Sequence, residues 1–220
     1  SGIIRIADVQ LEINSHSTPL STPSRSVSGS LIDLTRTTDI DLSNVSFDSN
    51  AQMTFDGTDD KITIPAGSYA TIGTSDFTIE LVAKNTKTSS YNHFFSIKDQ
   101  YHFALKMQNT GNRVMYVYRT SGLSTYGTID SRLTSTTDYY HIVCKREGDN
   151  IELFINGVSK GTKSGWNNIS IDNNSEATII GNHGSEYTGG EIPVLKLYST
   201  ALSLSEITDN FKAYKNRFNI

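Results

Sequence analysis

From residue 31 onward the chain is written in short runs in which apolar and polar residues alternate. DFTIELVAK places Phe77, Ile79, Leu81 and Ala83 on one side and Thr78, Glu80, Val82 and Lys84 on the other. That period of two is the mark of a strand with one face turned to a core. AQMTF, KITIP, HFFSI, YHFALKM, RVMYVY, YYHIVCKR, IELFINGV, EATIIG and EIPVLKLYS have the same texture, with turn-forming Gly, Asp, Asn and Ser between them. Many short strands joined by polar turns predict an all-β jelly-roll sandwich of two antiparallel sheets. No helical segment separates successive strands, which excludes βαβ units.

The period changes once, near the C-terminus. In SLSEITDNFKAYKNRF, Leu204, Ile207, Phe211, Tyr214 and Phe218 recur at spacings of three and four. They predict one short helix with an apolar stripe, laid across an end or edge of the sandwich. Ser203 and Glu206 form S-x-x-E, a capping box in which each side chain covers an orphan backbone donor. At the other end, residues 1–13 read as one or two strands. NSHSTPLSTPSRSVSGS, residues 14–30, reads as an extended Pro/Ser/Thr-rich connector from a preceding module. The expected organisation is therefore a connector over 1–30 and a β domain over 31–220.

Composition narrows the function classes. The 220 residues carry a net charge of -4, and no block of Lys or Arg stands out. Neither a nucleic-acid face nor an anionic-membrane face is suggested. No apolar run approaches the roughly 20 residues that span a bilayer. The single cysteine, Cys144, rules out an internal disulfide and reads as a small core residue.

One stretch tests for catalysis. In KREGDNIELFINGVSKG, Glu147, Asp149 and Glu152 spell E-x-D-x-x-E, which resembles the signature of laminarinase-type glycoside hydrolases. Such acids need one continuous strand aimed into one cleft, and a retaining pair stands about 5–5.5 Å apart. Here EGDN separates two alternating runs, and Gly148 marks a hairpin tip. Glu147 and Asp149 are expected to splay into water, with only Glu152 inside a strand. His141 alternates with Tyr140 and Ile142 and is expected on the outer face in a structural hydrogen bond.

At this hairpin a family resemblance becomes usable. YHIVCKREGDNIELFINGVSKGT resembles the central hairpin of laminin-G-like, concanavalin A-like lectin/glucanase domains. FDGTDDKITIP, DFTIELVAK and the closing block from IIGNHGSEYTGG through the capped helix resemble that family's other segments, in the same order. The resemblance implies a concanavalin A-like jelly roll over about residues 31–220. Val82 stands where many relatives place Trp, which weakens a sugar platform on that strand. The tail ALSLSEITDNFKAYKNRFNI and the junction DVQLEINSHSTPLSTPSRS are similar to tailed-phage virion proteins. That similarity implies a module of a head fibre, decoration or tail protein at a virion surface or outside cells.

Candidate sites follow from chemistry and from that resemblance. Relatives commonly hold calcium, and Asp56, Asp59 and Asp60 in FDGTDD are the carboxylates to supply it. A sugar site needs an aromatic face with amide or carboxylate partners. Trp166 and Asn167 in SGWNN, Asn182, His183 and Tyr187 in GNHGSEYTGG, and Tyr91 and His93 in SSYNHFF are the candidates, all on expected loops. Gln100, Tyr101 and His102 resemble the Q-x-H motif of jelly-roll alginate lyases, but no R-x-E-x-R strand accompanies them. The expectation is a non-catalytic module with a cell-surface or extracellular glycan and other virion subunits as partners, without nucleic acid or membrane, in a homotrimer or other homo-oligomer. The alternatives are a purely structural assembly module and a glycan-cleaving enzyme.

Overall fold

The structure is a computed structural model. It describes residues 44–48, 52–67, 72–87, 91–97, 103–108, 113–120, 123–127, 129–133, 135, 137–166, 171 and 177–220. The expected connector, the Gln100-Tyr101-His102 motif and Asn167 lie outside these. The strands in chain order are β1 (Ser46–Phe47), β2 (Met53–Asp56), β3 (Ile62–Ile64), β4 (Phe77–Asn85), β5 (Tyr91–Ile97), β6 (Phe103–Gln108), β7 (Arg113–Thr120) and β8 (Leu123–Gly127). They continue as β9 (Asp130–Arg132), β10 (Tyr139–Glu147), β11 (Asn150–Ile155), β12 (Val158–Lys163), β13 (Thr178–Ile180), β14 (Asn182–His183), β15 (Glu186–Tyr187) and β16 (Gly189–Tyr198). One helix, α1 (Leu204–Phe218), follows.

Two seven-stranded antiparallel sheets result. The first runs β1-β2-β16-β4-β10-β11-β12; the second runs β3-β13-β5-β6-β7-β8, with β9 also on β7. The alternation read from the sequence puts Phe77, Ile79, Leu81 and Ala83 of β4, with Ile142 and Cys144 of β10, inside the sandwich. Phe103, Leu105 and Met107 of β6 meet them from the second sheet. Burying each such side chain stabilises the fold by about 1.5–3 kcal/mol before entropy is counted. Arg146 is also drawn inward. It is 1% exposed, and its Nη2 donates to the Trp166 carbonyl at 2.6 Å, closing one end of the core.

The expected position of the helix is corrected. It lies on the outer face of the first sheet rather than across an end. Val143 and Phe154 on that face form a second small core with Leu202 and Ile207. The His141 ring stacks on Phe211 at 6.0 Å and meets Tyr214 at 5.6 Å. The reason is local: this face carries Val82, Val143 and Phe154 among its polar residues, and apolar surface there has to be covered. Leu204 stays 60% exposed and does not join the stripe. The capping box forms as read, with Ser203 accepting from the Glu206 backbone and Glu206 accepting from Ser203.

Helix and sheet are tied by one buried carboxylate. Glu80 Oε1 is 2.8 Å from His141 Nε2, while Glu80 Oε2 accepts from Tyr198 Oη at 2.8 Å and Asn210 Nδ2 at 3.2 Å. Lys196 Nζ lies 3.6 Å away. Burial alone would raise the Glu80 carboxyl, but the bonds from His141 and Tyr198 and the Lys196 charge outweigh it and hold the group below its ordinary value. His141 is thus on the outer face in a structural hydrogen bond, as expected, but it is covered by the helix.

Candidate functional site

The E-x-D-x-x-E spacing does not make a catalytic strand. Glu147 ends β10, Asn150 begins β11, and the two are register partners. Gly148 takes φ +55°, so the chain reverses there. Its N–H donates to Asp76 Oδ1 at 2.7 Å. The Glu147 side chain is 67% exposed and bonded to Lys145. Glu152 sits on β11, near Lys145 and bonded to Ser159. These acids therefore do not face one another across a cleft.

The acidic turn is compact. Carboxylate oxygens of Asp56, Asp59 and Asp60 all lie within 4.8 Å of one another. Asp56 Oδ1 accepts from Thr58 N at 2.7 Å, and Asp60, which is 3% exposed, accepts from Asp56 N. Burial raises the Asp60 carboxyl, with Asp56 and Asp59 adding to it against the backbone bond that lowers it. Three hard oxygens fit calcium chemistry and supply part of the six to eight it takes. The Gly57 carbonyl is turned to Lys87 Nζ at 3.3 Å, and the same ammonium holds the Tyr187 carbonyl at 2.7 Å. Lys87 thus fastens the acidic turn to the segment that carries Tyr187.

Trp166 does not offer a ring to a ligand. It is 3% exposed and packs edge-on against Phe103 at 6.4 Å. Its backbone N–H and carbonyl are held by Asp149 and Arg146. The indole is part of the core, which corrects its expected place as a sugar platform.

The remaining five candidates come together, on strands rather than loops. Tyr91 and His93 belong to β5, and Asn182, His183 and Tyr187 to the β14–β15 hairpin folded against it. Gly181 starts that hairpin at φ +85°, and a Cβ there would stand 2.3 Å from the Phe55 ring. Only glycine lets the chain turn so close to the core. Asn182 pairs with Tyr187, and its side chain braces the turn by donating to the Gly184 and Glu186 carbonyls. Ser96 Oγ donates to the Asn182 carbonyl at 2.9 Å, Thr188 Oγ1 donates to the His93 carbonyl at 2.9 Å, and Gly189 N donates to Asn92 Oδ1 at 3.0 Å.

Beneath the hairpin the His93 ring stacks on His183 at 4.9 Å and lies 6.2 Å from Tyr91. His93 Nε2 stands 2.8 Å from Glu186 Oε2. Lys106 of β6 places its ammonium 3.7 Å from the centre of the Tyr91 ring. Burial pushes the His93 imidazole down to about 4, with Lys106 and His183 adding to that and Glu186 opposing it. At neutral pH His93 is therefore neutral, and Nε2–H donates to the Glu186 carboxylate. Its Nδ1 is buried and has no hydrogen-bond partner. Glu186 and Lys106 were not among the expected residues. Glu186 lies between two that were, and Lys106 sits at a polar position of an alternating strand, which alone gives no sign of a site.

Tyr91, Glu186 and Tyr187 are half-buried and are the members of this cluster that can meet a ligand, whereas His93, Asn182, His183 and Lys106 are buried and build the hairpin's seat. The cluster has no facing carboxylate pair among the described residues.

Comparison with known proteins places the fold. A family model described as the concanavalin A-like lectin/glucanases superfamily matches residues 56–208. No curated protein sequence matches. The ligand-binding domain of botulinum neurotoxin serotype D, solved with N-acetylneuraminic acid, aligns with TM-score 0.65 at 13% identity, over 80% of this chain and 46% of that one. The receptor-binding domain of botulinum neurotoxin D gives 0.64 at 14% identity, over 80% and 48%. Domain 4 of AbnA, a GH43 extracellular arabinanase from Geobacillus stearothermophilus solved with arabinotriose, gives 0.61 at 16% identity, over 78% of this chain and 86% of that one. This chain spans about half the length of the neurotoxin domains, and at these identities the likeness is one of fold. The chain belongs to the concanavalin A-like lectin/glucanase superfamily.

Proposed function

We propose that this chain is a non-catalytic carbohydrate-binding module of a virion structural protein, acting at a cell-surface or extracellular glycan. The observation that carries the binding role is the gathering of Tyr91, His93, Asn182, His183 and Tyr187 around one hairpin on the outer face of the second sheet. An aromatic ring beside amide and charged groups is the chemistry a sugar ring takes. Structural neighbours solved with N-acetylneuraminic acid or arabinotriose, and a neurotoxin whose cell entry depends on two ganglioside molecules, support the same reading. The virion setting rests on the tail and junction similarity in the sequence. The acidic turn is part of the proposal as the calcium-holding corner, through Asp56, Asp59 and Asp60. A cation there would offset the burial, and the smaller repulsion from Asp56 and Asp59, that raise Asp60.

A glycan array probed with the purified chain at millimolar calcium tests the binding role. Retention on a defined group of glycans, lost in Tyr91→Ala, is the expected result; silence across the array rejects it. A purely structural assembly role would need a large apolar patch. The exposed large apolar residues, among those described, are Val158 and Leu204.

A further inference from the structure

The β14–β15 hairpin has two residues in each strand and forms a sheet of its own. A ladder that short is marginal in water and has to be pinned by its surroundings. Three of its pins are buried. Ser96 Oγ donates to the Asn182 carbonyl, Thr188 Oγ1 donates to the His93 carbonyl, and Asn92 Oδ1 accepts from Gly189 N. Ser96, Thr188 and Asn92 are each at most 2% exposed. They seat the start of the hairpin and its exit.

Tyr187 is held differently. Its carbonyl accepts from Lys87 Nζ at 2.7 Å, and the same ammonium donates to the Gly57 carbonyl at 3.3 Å. Lys87 is half-buried and stands just beyond the end of β4. Its backbone is fixed on both sides. Lys87 N donates to Asn85 Oδ1 at 2.9 Å, and Thr86 N donates to the Gly189 carbonyl at 2.9 Å. The lysine stem then runs between two glycines. A Cβ on Gly189 would stand 3.0 Å from Lys87 Cβ, and a Cβ on Gly57 would stand 3.6 Å from Lys87 Cδ. Gly57 also takes φ +86°, a left-handed conformation open to glycine. The sequence thus clears a path for one lysine and aims its ammonium at the carbonyl of a ring-bearing residue. A hydrogen bond from an ammonium is roughly twice as strong as a neutral one.

We infer that Lys87 is a positioning residue of the glycan face, fixing the backbone of Tyr187 and through it the ring that meets the sugar. It acts through Tyr187 rather than on the sugar, because its ammonium is directed to two main-chain carbonyls. Tyr187 and Glu186 are half-buried and share one two-residue strand, so loss of this bond frees both. Asn182 and His93 stay seated through Ser96 and Thr188. The functional consequence rests on the glycan-binding reading above; the positioning rests on these contacts alone.

Two variants of the whole chain test it. Lys87→Met keeps an apolar stem without the ammonium, and Lys87→Arg keeps a charged donor. The first measurement is amide exchange with no glycan present. Protection of residues 182–187 should fall about tenfold or more in Lys87→Met, with β4 and α1 unchanged, and recover in part in Lys87→Arg. The second is isothermal titration with N-acetylneuraminic acid, arabinotriose and the strongest glycan of the array. Affinity should fall about tenfold in Lys87→Met and recover in part in Lys87→Arg, while the melting temperature stays within about 3 °C of the original. A lysine with a merely structural role would lower the melting temperature and the protection of the whole domain together, and that result overturns the inference. Unchanged protection of 182–187, or unchanged affinity for a glycan that the original chain binds, also overturns it and leaves the lectin reading standing. Silence of the original chain with every glycan overturns the lectin reading instead, and the exchange result still decides whether Lys87 fixes the hairpin.

Discussion

The outer faces of the two sheets look alike in sequence and are put to opposite uses. On the first sheet, Glu80, His141, Tyr198 and Lys196 join in one network with Asn210, and helix α1 is laid over it. Every charge there has an opposite charge or a donor, and Glu80 is 0% exposed. On the second sheet, Arg113 of β7 is the register partner of Arg132 of β9, and a six-residue segment, Asn182–Tyr187, closes only one end. The first arrangement is one that folding alone requires; the second is the face at which we propose a ligand binds.

The comparison can be broken most forcefully at Glu80. Glu80→Ala removes the acceptor shared by the helix and three strands, and should cost about 3–5 kcal/mol by urea denaturation. A loss under about 1 kcal/mol would mean the helix does not depend on the network. Next in size is a difference in acid response. His93 has its folded value lowered from 6.5 to about 4, so the unfolded chain binds the extra proton first. Stability should therefore fall as pH drops from about 6.5 towards about 4, by on the order of 2 kcal/mol, and His93→Gln should flatten that slope. Glu80 acts lower. Its depressed carboxyl contributes fully above the unfolded value of 4.5 and loses that contribution as pH falls further. Amide exchange on the β14–β15 hairpin should thus rise at a higher pH than exchange in α1.

Smaller effects sharpen the contrast. Calcium at about ten times its dissociation constant should add about 1.4 kcal/mol to stability, and Asp60→Asn should abolish that gain in a melting titration. Ser203→Ala removes the helix cap and should cost about 1 kcal/mol. Arg132→Ala should leave stability within about 0.5 kcal/mol, or raise it slightly, because one of two facing cations is gone. Marked destabilisation by Arg132→Ala would place that arginine with Glu80 as a structural residue.

Much of the fold was legible in local pattern. The alternation of β4, the reversal at Gly148 and the Ser203–Glu206 cap are each decided within ten residues of sequence. The placing of α1 was not, because Val82, Val143 and Phe154 sit on three different strands and only pairing shows them to be one apolar patch. Tyr91, His93 and the 182–187 segment could be named singly from residue chemistry. Their meeting depends on a contact between His93 and Glu186, separated by 93 positions. Trp166 misled because an aromatic among Ser, Gly and Asn reads as a loop platform, while a buried arginine that ties its carbonyl inward is visible only in three dimensions. The row from Tyr91 through Gln108 and Arg113 to Arg132 needs three successive registers, which no single strand reveals.

The most direct measurement is an amide chemical-shift map of the chain titrated with its best array glycan. The account predicts perturbations at Tyr91, His93 and the 182–187 hairpin, with α1 silent. Perturbations centred on α1 and the outer face of the first sheet, with the second sheet unmoved, would contradict it.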